Sequence, residues 1–143
     1  MKTEHQQNHR KESVISYFKK VDKGDLTYYD LFTEDVQFFF PKFGLACGKN
    51  AIKRFGKNIG RFLKSIQHDI ENFHYIISGD SVVVEGKENG VTHDDKAWPD
   101  GNISQGLFCS VFEFEGDLIK RMHIYVDPDF TSEDQDRIQI YNP

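Results

Sequence analysis

Gly24-Asp25-Leu26-Thr27-Tyr28-Tyr29-Asp30-Leu31-Phe32-Thr33-Glu34-Asp35-Val36-Gln37-Phe38-Phe39-Phe40-Pro41 is the stretch whose reading decides the fold. Glycine past a helix end makes a corner, Asp25 offers a side-chain cap, and a short helix runs on through Phe32. Val36 to Phe40 reads as a strand that Pro41 closes. Successive strand side chains alternate faces, so Phe38, Phe39 and Phe40 cannot all point one way. This predicts a strand covered on both sides, between a helix layer and a sheet, in a fold able to enclose an apolar cavity.

The flanks extend this pattern. Val14, Ile15, Phe18 and Val21 recur on one helical stripe with Tyr17 beside it, predicting a first helix from about Lys11 to Val21. Gly44 to Gly48 reads as a turn. Asn50 reads as the cap of a helix over Ala51 to Ile66, whose apolar positions again fall at helical spacing. Four strands follow, over Gln67 to Ser78, Ser81 to Thr92, Gln105 to Glu115 and Leu118 to Asp127. Gly79-Asp80 and Glu115-Gly116-Asp117 are hairpin turns, and His93 to Ser104 is a loop. The expected fold is α+β: N-terminal helices on a strongly curved, mostly antiparallel sheet that forms a cone-shaped cavity. One domain is expected over 1–143, with its core at about 11–128 and a polar tail in which Ile138, Ile140 and Tyr141 suggest docking.

Composition narrows the function classes. A net charge of −5 with no concentrated basic face argues against nucleic acid or an anionic membrane as partner. The basic residues of Lys49 to Lys64 read as the solvated side of a helix. No apolar leader and no membrane-length run is present, which predicts a soluble, cytoplasmic protein. Cys47 and Cys109 have no metal-ligand spacing. His93-Asp94-Asp95 are too close in sequence to converge easily on one ion, so no metal site is expected. Thirteen phenylalanines suit an apolar ligand pocket, although rings also simply fill cores.

Tyr17-Phe18, Gly24-Asp25-Leu26, Leu31 to Val36, Pro41, Gly48 to Ile52, His68 to Asn72, Phe112 to Arg121 and Tyr125-Val126-Asp127 stand in an order that resembles the nuclear-transport-factor-2-like superfamily. The branch it resembles is the SnoaL-like and ketosteroid-isomerase-like one. That scaffold carries many reactions as well as non-catalytic binders, so chemistry must be argued from the site. Tyr17 matches the isomerase tyrosine. Phe40 stands where those enzymes place a carboxylate base, and Ser110 near where they place a protonated aspartate, so standard steroid isomerisation is not expected.

The resemblance to SnoaL-like cyclases implies instead that Asp127 acts as general acid/base, on a strand face shared with Arg121, His123 and Tyr125. The other reading is a strand-end aspartate that caps a loop. His68, on a face shared with Ile70, Asn72 and His74, would orient Asp127 or carry a proton; otherwise it is a histidine satisfied by backbone. Tyr17 would donate its hydroxyl into the cavity, or simply pack as a core ring. Phe38, Phe40, Phe108 and Phe112 would form the ligand walls, with Ser110 and Tyr125 facing the ligand. Trp98 would be a lid or would cover a dimer interface. The expected chemistry is cofactor-independent isomerase, cyclase or hydrolase-type proton transfer on a hydrophobic carbonyl-bearing or cyclic molecule. The alternative is a non-catalytic ligand-binding or interaction domain, and the resemblance implies a homodimer through the open sheet in either case.

Overall fold

The computed structural model describes residues 3–101 and 104–134. Helix α1 spans Glu4–Lys23, a full two turns before the predicted start. Thr3 caps it by accepting the Gln6 N–H at 3.1 Å. That first part is polar, so apolar periodicity gave no signal there. Yet Arg10 lies on the same stripe as Val14, Tyr17 and Phe18 and is itself buried. Gly24 ends the helix in the left-handed conformation, φ 71°, and returns its N–H to Val21 and Lys20. Asp25 caps the following 3-10 turn, Leu26–Leu31, by accepting from Thr27 N–H.

Strand β1 covers Phe32–Phe40 and folds back on β2, Gly44–Cys47, so the expected turn at Gly44 to Gly48 is a strand in a hairpin. Helix α2, Lys49–Phe62, begins after Gly48 rather than with Asn50 as its cap. It stops four residues before the expected Ile66. His93 takes two of its last free carbonyls, Gly60 through Nε2 at 2.7 Å and Phe62 through its backbone N–H at 3.2 Å. Leu63 then starts β3, Leu63–His68, whose pairing with β5 replaces further helix. A 3-10 turn at Ile70–Asn72 separates β3 from β4, His74–Ser78, so the strand expected over Gln67 to Ser78 is broken. His68 therefore does not share one continuous face with Ile70, Asn72 and His74. The chain continues with β5 Ser81–Thr92, β6 Ala97–Trp98, β7 Leu107–Glu115 and β8 Leu118–Val126. Ile138, Ile140 and Tyr141 lie outside the described residues.

The strands run β2-β1-β8-β7-β5-β3, with β4 and β6 also on β5. Among the described strands only β1 and β8 pair in parallel. Long β5 holds β4 at one end and β3 at the other, and it bends between them. Gly86 and Gly90 stand on its inner face, where a Cβ would lie 2.5 Å from the Phe73 ring and 2.1 Å from the Ser65 carbonyl, respectively. The result is an α+β half-barrel wrapped on the helices. Phe38 and Phe40 point inward, Phe38 against the Phe55 ring of α2 at 4.8 Å. Phe39 points outward beside His123 and Tyr125, with no second layer of the described residues over it. The expectation of a strand covered on both faces is thus corrected: the outer face of the sheet is open among the described residues. No helix among them is long and apolar enough to cross a membrane.

Candidate functional site

The hollow of the sheet closes over a cavity of about 100 Å³, bounded by Tyr17 and Phe18 of α1, Phe40 of β1 and Phe55 and Ile59 of α2. Its polar wall includes His68 at the end of β3, Glu88 in β5 and Ser110 in β7. Asp22, in the last turn of α1, reaches the same histidine. His68 Nδ1 lies 2.5 Å from Asp22 Oδ1, and Nε2 lies 3.2 Å from Glu88 Oε2. All three side chains are at least nine-tenths buried. The imidazole is held edge-on by Phe18 at 4.8 Å and Phe108 at 5.3 Å.

Burial by itself would lower the pKa of His68. The hydrogen bonds from Asp22 and Glu88 and their charges outweigh it, lifting the pKa from 6.5 to about 9. At neutral pH this is an imidazolium donating both N–H groups, one to each carboxylate. The Tyr17 phenol is pushed above its ordinary value, first by burial and then by the negative charges of Glu88 and Asp22. It stays protonated and can act only as a donor or a neutral acceptor. The cone thus contains a fixed carboxylate, an imidazolium behind it and a neutral phenol.

Asp127 is placed elsewhere. It follows the last residue of β8, is exposed, and accepts the Asp129 N–H at 2.9 Å, which is the capping arrangement. It does not border the cone with His68 and Tyr17. The reason is strand parity: Met122 and Ile124 face the cavity, whereas Arg121, His123 and Tyr125 stand on the outer face. There Arg121 donates to His123 Nδ1 at 3.2 Å, so the Nε2–H donates to Gln37 Oε1 at 2.9 Å. Tyr125, placed by sequence against a ligand, is 48% exposed on that outer side.

Of the expected walls, Phe40, Phe108 and Ser110 border the cone. Phe38 and Phe112 are fully buried behind it, Phe112 under the rings of Tyr17 and Phe18. Trp98 is neither an open lid nor an exposed interface residue. It is buried in its own chain, against Gly90 and the Phe130 ring at 4.7 Å. His93, Asp94 and Asp95 do not converge: they engage Gly60, Thr92 and Lys64 separately.

Glu88 and Asp22 are the residues that sequence reasoning missed. Glu88 has the same strand parity as Val82 and Val84, both buried, and that parity was the available signal. Asp22 precedes a helix end, where an acid ordinarily reads as solvated.

Comparison with known proteins gives a consistent frame. The family model described as SnoaL-like domain matches residues 14–122. No curated protein is similar enough to match the chain. Among solved structures, a nuclear-transport-factor-2-like protein from Anabaena variabilis is 22% identical and superposes with a TM-score of 0.72, over 91% of this chain and 96% of that one. A protein from Xanthomonas campestris pv. campestris, described as a candidate polyketide cyclase, is 20% identical with a TM-score of 0.71, over 85% and 93%. TerC co-crystallised with polyporic acid is 17% identical with a TM-score of 0.71, over 83% and 92%. At these identities the likeness is one of fold.

Proposed function

Because the chain belongs to the SnoaL-like family, we propose that it is a cofactor-independent acid/base enzyme acting on a hydrophobic cyclic or carbonyl-bearing small molecule in the cone. The observation that carries this reading is the buried Asp22–His68–Glu88 array facing an otherwise apolar hollow beside Tyr17. Glu88 takes a proton from carbon next to a carbonyl and later returns it, so it serves as base and then acid. His68, clamped by Asp22, holds the Glu88 carboxylate in place. Tyr17 donates its hydroxyl to the substrate oxygen as negative charge develops there, an electrostatic aid that a water-poor site strengthens. Phe40 and Phe108 hold the apolar body of the substrate. Asp127, first expected in the Glu88 role, enters this scheme only as a second carboxylate near the mouth.

The test is proton–deuterium exchange at the α-carbon of small cyclic ketones such as cyclopentanone and cyclohexanone, which suit a cone of about 100 Å³, followed by NMR in deuterated buffer. Wild-type protein is expected to exchange above buffer. Glu88→Gln should lose about a hundredfold or more, the usual scale of general-base removal. No exchange by wild type, or unchanged exchange in Glu88→Gln, rejects the assignment. The cone's volume, about 100 Å³, favours a second reading as a non-catalytic interaction domain, since ligand pockets usually exceed ~300 Å³. Self-association without exchange would select it.

A homodimer through the open sheet belongs to both readings. Leu45, Phe39, His123, Val111, Val83 and Ile76 are register partners in a row across six strands of the outer face. Leu45 at its one end is 67% exposed and Ile76 at the other 56%. A band of this kind is suited to a second copy of the chain. Sedimentation at micromolar concentration tests it, and Ile76→Lys should leave monomers.

A further inference from the structure

A second chamber, of about 190 Å³, adjoins the cone and shares two residues with it, Glu88 and Phe130. Trp98 and Asp127 also line it. Trp98 is 3% exposed, and its indole N–H has no hydrogen-bond acceptor among the described residues. A buried donor left unmade is costly, so native proteins seldom keep one without a use. Glu88 spends one oxygen on His68, which leaves further lone pairs on a carboxylate able to accept several hydrogen bonds. The chamber is therefore lined by a tryptophan whose donor is unpaired, a buried carboxylate, the polar Ser104 and Gln105, and the ring of Phe130, packed on Trp98 at 4.7 Å.

We propose that this chamber is a binding subsite for the hydroxyl group of an aromatic or enolic ring ligand, with Trp98 donating to the hydroxyl oxygen and Glu88 accepting its proton in a hydrogen bond. The chemistry of the walls selects the class. A carbonyl or ether accepts only, and would face carboxylate lone pairs with nothing to donate. An ammonium group donates only, and would leave the indole unpaired. An anion would meet both Glu88 and Asp127. A neutral hydroxyl satisfies both walls, and the chamber is on the scale of cavities of about 150 Å³ that hold one benzene ring. The proposal rests on the reading of the adjoining cone as the ligand site, and it adds a substrate feature to it: a hydroxyl lying beyond Phe130 from the apolar body.

The sequence holds one tryptophan, so ¹⁵N-labelled protein gives one indole N–H signal. Phenol and toluene are nearly isosteric and differ by hydroxyl against methyl. Phenol should move the indole resonance downfield and saturate; toluene should not. Trp98→Phe keeps the ring against Phe130 and removes only the donor. It should weaken phenol binding about tenfold, the scale of one hydrogen bond, and leave toluene binding unchanged. An indole signal that ignores phenol, or moves equally with toluene, overturns the proposal. So does equal phenol affinity in Trp98→Phe. If that variant does not fold, the wild-type contrast between the two probes decides alone. A water molecule could meet the same two walls, and its exclusive occupancy would show as no response to phenol. The exchange assay above is independent: exchange without a phenol response removes the subsite alone, and the reverse removes the catalytic reading alone.

Discussion

Asp22 grips His68 twice: Oδ1 lies 2.5 Å from the ring Nδ1 and Oδ2 accepts the His68 backbone N–H at 2.8 Å. One carboxylate thereby fixes both the rotamer of the histidine and the end of β3. Asp22 sits in the last turn of α1, where the helix dipole disfavours an anion. The imidazolium offsets that, and the two groups are stable in this place chiefly as a pair.

The pair should impose a pH dependence on stability. The folded-state pKa of His68, about 9, lies above its unfolded 6.5, so the folded protein holds this proton more tightly. The stabilisation is complete below about 6.5 and is lost as pH rises through about 9. The difference in denaturant midpoint between wild type and His68→Gln should therefore shrink over this window. A difference constant from pH roughly 6 to 10 would show that the charge on His68 is not what the fold uses.

Arg10 supplies a second long-range tie. Its guanidinium donates to Asp80 Oδ1 at 2.8 Å and twice to the Gly116 carbonyl, at 3.0 and 2.8 Å. It thus joins the start of α1 to the β4–β5 and β7–β8 turns. Arg10→Met keeps most of the stem but strands the Gly116 carbonyl, and should cost about 2–3 kcal/mol in chemical denaturation. Arg10→Lys should recover less than half, because an ammonium cannot reproduce the forked geometry. A loss under about 0.5 kcal/mol would mean that water replaces these bonds freely.

Arg10 also marks where the sequence was legible. Alternation and glycine turns gave β5, Ser81–Thr92, at its observed ends, and both hairpins, because the signals there are local. The parity of Val82 and Val84 extended through Glu88 would have placed that acid indoors. A charged residue between Lys87 and Asn89, however, reads as solvent-facing unless its partner is known. The partner, His68, lies across a sheet pairing of Gln67 with Asn89 and His68 with Glu88 that no local pattern encodes. Asp127 failed for the matching reason. Its own strand gave a correct face, shared with His123 and Tyr125, but only the tertiary wrap decides which face is the inside.

Two glycines should respond with opposite signs. Gly90 faces Ser65, and an added Cβ would stand 2.1 Å from that residue's carbonyl oxygen, a backbone atom that cannot step aside cheaply. Gly90→Ala should cost about 3 kcal/mol or more by forcing β3 and β5 apart. Gly60 lies within α2 with nothing within 4 Å of its Cβ position. Gly60→Ala should gain about 0.5–1 kcal/mol from helix entropy. Thermal melts of the two variants check this, and a neutral Gly90→Ala would refute the close approach.

Phe130 borders both chambers, so its removal should change which ligands fit. Its ring borders both and packs on Trp98, while its own segment after β8 is held locally by Asp129 accepting from Glu133 and Asp134. Phe130→Ala should destabilise by about 2–4 kcal/mol, somewhat under a central core truncation because the segment can settle inward. It should also merge spaces of about 190 and 100 Å³ into one near the ~300 Å³ of ordinary ligand pockets. A two-ring probe such as 2-naphthol is then expected to bind the variant more tightly than wild type, while phenol gains little. Calorimetric titration of both probes into both proteins measures this. Equal naphthol affinity in the two would mean that the ring does not divide the site, and that the chambers open to one another by another route.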